Sequence, residues 1–175
     1  MRRRSIIGFM IVLTVAGCLI PNPPELALKQ TPTVTGSQFE QTIVVSGTEA
    51  AVPSGYAGSR YFLRSVIHKA TGVLAHQIYV DHYYDGDWKF WQSANDENAQ
   101  PLNVRVLRRE VISCHYGCFH EEVFGIDVAD STLRSHTTGF KVKVYAKDAS
   151  TMILEVTGVQ IAAQLQAISE ARAAK

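Results

Sequence analysis

The side chains best suited to chemistry lie close together in one segment and comprise Cys114, His115, Cys118 and His120. Two cysteines that flank a three-residue loop can reach the Cα separation of ~4.4–6.8 Å that a disulfide needs, provided that a hairpin brings them together. Thiolate and imidazole groups also bind zinc or copper, so the same four residues form an alternative metal site. Their spacing differs from that of a zinc ribbon, which has two residues between its cysteines. We predict a structural disulfide between Cys114 and Cys118, with the metal site as the alternative.

A second group of polar residues lies earlier in the chain and comprises His76, Asp81, His82, Asp85 and Asp87. Calcium needs several converging oxygen ligands, and this run lacks the spaced acidic loop and terminal glutamate of an EF-hand. Turn-forming aspartates and histidines on strands account for the pattern. We therefore expect no metal site in this segment.

Motifs of the common enzyme classes are missing from the sequence. There is no Gly-x-Ser-x-Gly segment, no phosphate-binding loop and no Gly-x-Gly-x-x-Gly after a strand. The pair His120-Glu121 is not followed by the second histidine of a metalloprotease helix. We expect a protein that is not an enzyme, although separate Ser, His and Asp residues can converge in a folded chain.

Aromatic residues are concentrated between positions 79 and 91, and such residues form a core or, when exposed, contact a sugar or a partner protein. In the segment Trp-Lys-Phe-Trp at positions 88–91, Trp88 and Phe90 alternate with Lys89 and Trp91. We expect Trp88 and Phe90 to face the core. If Trp91 faces solvent on the opposite side, it is the best candidate for a partner contact.

The N-terminus has the pattern of an export signal. Three arginines at positions 2–4 precede residues 6–15, which are almost entirely apolar. A basic head before a short apolar stretch is typical of a secretory signal peptide, and the stretch is shorter than the ~18–20 residues that span a bilayer. Residues 15–18 read Val-Ala-Gly-Cys, which resembles the lipobox of bacterial lipoproteins.

That resemblance implies cleavage before Cys18 and the attachment of diacylglycerol and fatty acyl groups to this residue. Several acyl chains give stable anchoring, because each buried methylene contributes ~0.8 kcal/mol. In this family an aspartate after the cysteine is the usual signal for retention in the inner membrane, and Leu19 stands at that position. The resemblance therefore implies the periplasmic face of the outer membrane. The oxidising envelope also favours the predicted disulfide, and we expect no cofactor beyond the acyl groups.

The charge balance excludes a nucleic-acid partner. The full chain of 175 residues carries a formal charge of +1. Cleavage after residue 17 removes three of the 17 basic residues and none of the 16 acidic ones, which leaves 158 residues with a charge of −2. A mildly acidic domain does not attract DNA, RNA or an anionic lipid surface.

The mature chain divides into two parts. Residues 18–36 contain four prolines, which disfavour helix and sheet, and we predict a flexible tether. Residues 37–175 form the predicted domain, in which short runs of period two continue to about residue 157. Arg105, Arg108 and Arg109 lie on one such run, and we expect the glutamates at 121 and 122 to pair with them across a hairpin.

From Gly158 onward the period changes to that of a helix, with Ile161, Leu165 and Ile168 on one stripe. Seven to nine short strands without alternating helices favour a mainly β fold. We predict an immunoglobulin-like β-sandwich with a short C-terminal helix, and a small open barrel is the alternative.

Beyond the leader, the chain resembles the small envelope lipoprotein domains of Gram-negative bacteria, a resemblance that implies no activity. We expect a lipid-anchored protein that binds another envelope component, either a secretion, pilus or membrane-assembly protein or the cell wall. A periplasmic lipoprotein that binds a small ligand or a metal is the alternative.

Overall fold

The computed structural model describes residues 27–115 and 117–174. The predicted signal peptide, residues 1–17, and the predicted acylation site, Cys18, lie outside the described residues. Among the described residues, no helix has the length and apolar character needed to cross a membrane.

Eleven strands and two helices make up the described part of the chain. In chain order they are β1 (Thr33–Thr35), β2 (Thr42–Ser46), β3 (Ala50–Ala51), β4 (Arg60–His68), β5 (Leu74–Asp85), β6 (Trp91–Asp96), β7 (Pro101–Leu102), β8 (Val104–Cys114), β9 (Cys118–Val128), α1 (Asp130–Ser135), β10 (Gly139–Ala146), β11 (Thr151–Thr157) and α2 (Gly158–Ala173).

The strands form two antiparallel sheets. The larger sheet has the order β1-β2-β4-β5-β9-β8, with β3 also paired to β4, and the smaller has the order β11-β10-β6-β7. The predicted mainly β sandwich with a short C-terminal helix is therefore confirmed.

Side chains that point inward at every second position of the strands form the core between the two sheets. Strand β4 alternates between partly buried and buried positions, and strands β10 and β11 between solvent-facing and buried ones. Their inward side chains join those of β5 and β9 in one apolar cluster that includes Leu63, Ile78, Phe124, Val142 and Leu154. This layer supplies the hydrophobic stabilisation of the domain.

Helix α2 packs against β2 and β4 with a second, smaller cluster that contains Val45, Ile67 and Ile168. The helix begins with a capping box, in which the Thr157 hydroxyl accepts from the Gln160 backbone N–H and the Gln160 side chain accepts from the Thr157 backbone N–H. The C-terminal helix thus belongs to the domain.

The predicted tether extends too far. Residues 33–35 lie inside the predicted range 18–36, yet they form β1, which pairs with Val44–Ser46 of β2. Lys29 also exchanges backbone and side-chain hydrogen bonds with Glu49. The domain therefore includes residues that precede 37, because the β-branched residues after Pro32 can join an exposed edge strand.

The alternation of residues 88–91 does not correspond to a strand, because β6 begins only at Trp91. Phe90 has a φ of +56°, a left-handed conformation that breaks the extended run. The polar segment that follows Trp91 pairs with β10 as far as Asp96.

Candidate functional site

The inner face of the large sheet becomes polar at one end. On β5 the inward series Ile78 and Val80 continues with His82 and Tyr84, and on β9 the neighbouring inward positions are His120 and Glu122. Register places His82 opposite Glu122 and Tyr84 opposite His120. All four side chains are buried. Antiparallel pairing therefore concentrates four polar groups at one end of an otherwise apolar layer.

The carboxylate of Glu122 is the charged centre of this cluster, with an exposed fraction of 1%. It accepts hydrogen bonds from the Tyr84 hydroxyl, from the Phe90 backbone N–H at 2.8 Å and from Arg109 Nε at 2.8 Å. Burial and the hydrogen bond to Glu122 raise the pKa of Tyr84. A buried charge needs such partners, and Glu122 has three.

His82 has a defined tautomer. The indole Nε1–H of Trp91 donates to His82 Nδ1 at 3.1 Å, so Nδ1 is the acceptor and the neutral ring carries its proton on Nε2. That Nε2 atom is buried and lacks a hydrogen-bond partner among the described residues. Burial, reinforced by the charge of Lys89, lowers the pKa of His82 to about 4. The ring is therefore neutral at pH 7.

A cavity of about 580 Å³ opens beside His82, between the ends of the two sheets. Its wall contains side chains of both sheets and of the segments that connect their strands. The lining residues are Pro53, Ser54, His82, Tyr84, Lys89, Trp91, Ser150, Thr151, Met152 and Ile153.

Trp91 lies in this wall with an exposed fraction of 2%, packed near His82 and Phe124. Trp91 was a candidate partner contact only if it faced solvent, and this condition is not met. The left-handed turn at Phe90 separates Trp91 from the run that suggested an outward side chain, and the indole faces the core.

The outer face of the same two strands carries a second polar group. Asp81 and Glu121 are buried, and their cationic neighbours are Arg60, 3.3 Å from Asp81, and Arg108, which pairs with Glu121. Burial and the adjacent Glu121 carboxylate raise the pKa of Asp81 to about 6. The predicted pairing with the two glutamates is confirmed for Arg108 and Arg109, whereas Arg105 pairs with Asp127. Both glutamates are buried, which a solvated strand face would not require.

The sulfur atoms of Cys114 and Cys118 form a disulfide, with a Cα separation of 4.1 Å, at the turn between β8 and β9. The predicted disulfide is present. His115 is exposed at the turn, whereas His120 is buried with its ring 4.2 Å from that of Trp88, centroid to centroid. The alternative metal site would need cysteine thiolates, and both sulfurs are bonded to each other. No group of three or more His, Cys, Asp or Glu side chains converges as a metal site within the described residues.

Strand β8 is the last strand of the large sheet and pairs with β9 alone among the described strands. Residues from Arg105 to Cys114 are all exposed. Four of them are large and apolar with exposed fractions of 44–50%, namely Val106, Leu107, Val111 and Ile112. The register shifts at Leu107 and at Ile112, so each lies at a bulge.

At the opposite end of the layer, Ser65, His76 and Asp130 form a hydrogen-bonded chain. Ser65 Oγ lies 2.7 Å from His76 Nδ1, and His76 Nε2 lies 3.0 Å from Asp130 Oδ1. Gln164 of α2 donates to Ser65 Oγ at 2.8 Å. Ser65 is wholly buried, so a substrate cannot reach its hydroxyl. This chain of polar groups ties α1 and α2 to the sheet.

Sequence reasoning missed the cluster of His82, Tyr84, His120 and Glu122. A usable signal was present, because the alternation that places Ile78 inside continues unbroken to His82 and Tyr84. Comparison of the chain with protein-family models, with curated proteins and with solved structures finds no match.

Proposed function

We propose that this chain is a lipid-anchored protein of the bacterial envelope that binds another envelope protein by strand addition at β8 and does not catalyse a reaction. One observation carries the proposal: β8 is a long edge strand whose outer side is unpaired among the described residues. The lipobox resemblance at residues 15–18 supports the location.

Natural sheets usually protect an edge with a short strand, charges, bulges or a covering segment. Strand β8 carries charged residues and two bulges, but it is neither short nor covered by another described segment. Strand β8 has eleven residues, and its apolar side chains Val106, Leu107, Val111 and Ile112 remain half-exposed. Unpaired backbone N–H and C=O groups give affinity for an extended peptide, and adjacent apolar side chains give specificity. An extended segment of a second protein therefore fits this edge better than a sugar polymer of the cell wall does.

The edge is held in place before any partner binds. The disulfide closes one end of the hairpin, and Arg105, Arg108 and Arg109 each form an ion pair with a carboxylate of β9. A rigid strand loses little conformational freedom on association, which favours binding.

Acylation of Cys18 would keep the domain close to the membrane. Eleven peptide links connect Cys18 to Lys29, the first of the described residues that is hydrogen-bonded to the rest of the domain. At a maximum of ~3.6 Å per residue, this connection reaches about 40 Å. Strand β8 lies at the far edge of the large sheet from β1, so the partner strand is expected no farther from the same membrane than this distance plus the width of the domain.

A photoreactive amino acid at position 107 of the full chain, activated in intact cells, tests the proposal. Leu107 lies at a bulge of β8, whereas Val159 on α2 is 78% exposed and lies away from the edge, so position 159 is the matched control. We expect a discrete cross-linked protein from position 107 and none from position 159. Equal products from both positions, or no product from position 107, would contradict strand addition.

A further inference from the structure

We infer that the cavity between the sheet ends binds a small aromatic carboxylate, with its ring beside Trp91 and Tyr84 and its carboxylate at Lys89. This site is separate from β8, and the inference does not depend on strand addition. The cavity volume of about 580 Å³ lies within the range of small-molecule sites, ~300–1,000 Å³.

The wall of the cavity has the composition that an aromatic ligand requires. Tyr84, Trp91 and Met152 are buried residues that contribute ring faces and a thioether, and Ile153 and Pro53 add apolar surface. Aromatic rings and methionine sulfur both pack favourably against a flat ring.

The positive charge in the cavity wall favours a ligand with a negative charge. Lys89 is the charged side chain of the lining, which contains no carboxylate. Its Nζ lies 3.2 Å from Ser150 Oγ and 3.8 Å from Asp148 Oδ2. Asp148 already accepts shorter bonds, both of 2.8 Å, from the backbone N–H and the hydroxyl of Ser150. A ligand carboxylate can therefore form a closer ion pair with Lys89 than Asp148 does.

His82 gives a second, independent reason to expect a ligand. Its side chain is 97% buried, its ring lines the cavity, and its Nε2–H has no partner among the described residues. Buried N–H groups in native proteins almost always have an acceptor. A ligand oxygen at this wall would supply that acceptor.

The test is a ¹⁹F NMR titration of the full chain in phospholipid nanodiscs with 4-(trifluoromethyl)benzoate and with the neutral 4-(trifluoromethyl)benzamide. We expect saturable line broadening with the benzoate and weaker binding of the benzamide. Lys89→Met should weaken the benzoate at least ten-fold and change the benzamide little. Lys143→Met, an exposed lysine outside the cavity, is the matched control and should leave both affinities unchanged.

A variant that fills the cavity makes the location testable. Ile153 is 52% exposed, so Ile153→Trp adds volume at the cavity wall without crowding the core, and we expect it to abolish binding of both compounds. No binding of benzoate to the wild type at millimolar concentration would overturn the inference. Equal loss in Lys89→Met and Lys143→Met, or unchanged binding by Ile153→Trp, would also overturn it. None of these outcomes affects cross-linking from position 107.

Discussion

The buried carboxylate of Glu122 is hydrogen-bonded to three separate segments at one end of the domain. Its three donors come from β5, from the segment before β6 and from β8, so one carboxylate connects three parts of the chain. Arg109 supplies the opposite charge and also lies over the Phe90 ring at 4.8 Å. Removing one partner of a buried ion pair is more costly than removing a partner at the surface.

Two arginines on β8 allow a matched test of this difference. Arg109→Met keeps an unbranched side chain of similar length but removes the guanidinium that pairs with Glu122 and lies over Phe90, so we expect a loss of about 2–4 kcal/mol in the free energy of unfolding. Arg105→Met removes a pair with the more exposed Asp127 and should cost less than ~1 kcal/mol. Urea unfolding measures both, and equal losses would contradict the burial argument.

His82 makes stability depend on pH with a definite sign. Its native pKa of about 4 lies below the unfolded value of 6.5, so only the unfolded chain gains a proton between these values. The contribution of His82 to the free energy of unfolding is complete above pH 6.5, and it decreases by up to about 3 kcal/mol as the pH falls to 4. Asp81 acts oppositely, because its native pKa of about 6 exceeds its unfolded value of 3.8.

The contribution of His82 is therefore measured by difference. In His82→Gln an amide oxygen can still accept from Trp91, but no group titrates there. We expect the stability advantage of the wild type over His82→Gln to shrink as the pH falls from 7 to 4, as followed by urea unfolding. His115→Gln, at the exposed turn, should run parallel to the wild type. A constant difference between wild type and His82→Gln would show that His82 is not held neutral.

At the scale of elements, regular alternation made most strands predictable. In residues 140–147, apolar residues alternate with three lysines and Tyr145, a pattern that predicts a strand and matches β10 to within one residue at each end. The helix after Gly158 was likewise predicted, and its Ile161 and Ile168 are buried. Local patterns identify those elements in which the apolar and polar positions of the sequence match the buried and exposed positions of the fold.

Other elements depend on tertiary context. The polar sequence of β6 after Trp91 gave no strand signal, and its pairing with β10 supplies the stabilisation. The turn at Phe90 requires a positive φ, and nothing in the surrounding sequence of tryptophan and lysine residues predicts that conformation. Helix α1 (Asp130–Ser135) is too short for a periodic pattern, and no pattern shows that β8 lies at a sheet edge.

The β8–β9 hairpin gives a prediction about the disulfide. Closing a loop of about five residues limits the entropic stabilisation to about 2 kcal/mol. We expect the double substitution C114S/C118S to lower the free energy of unfolding by that amount and to preserve the fold, because neither cysteine belongs to the main core cluster. Circular dichroism and urea unfolding, with the reduced wild type as control, measure this. Complete unfolding on reduction would contradict it.

The chain of Ser65, His76 and Asp130 predicts a structural effect. Ser65→Ala leaves His76 Nδ1 and one donor bond of Gln164 without a partner, so we expect a loss of about 1–3 kcal/mol. Ser113→Ala, at an exposed position of β8, should change stability little. Thermal unfolding measures both. A fluorophosphonate that labels Ser65 in the native protein would contradict this account and indicate a hydrolase.

At the scale of the whole molecule, the proposed acylation site and the proposed partner-binding strand belong to different parts of the chain. Acylation would occur at Cys18, before the first strand, whereas β8 lies at the far edge of the large sheet from β1. Binding at β8 therefore does not involve β1, the strand that follows the proposed anchor in the sequence. This separation is what a lipoprotein needs to remain anchored while it binds a second protein.

The most direct test is a native mass spectrum of the full chain, extracted from its own membranes in mild detergent. The wild type is compared with V106K/V111K, which places charges on the half-exposed edge, and with Val159→Lys as control. We predict cleavage before Cys18 and added acyl mass in all three proteins, and a bound partner protein in the wild type and control only. A partner retained by V106K/V111K would contradict strand addition, and an unacylated chain would contradict the anchor.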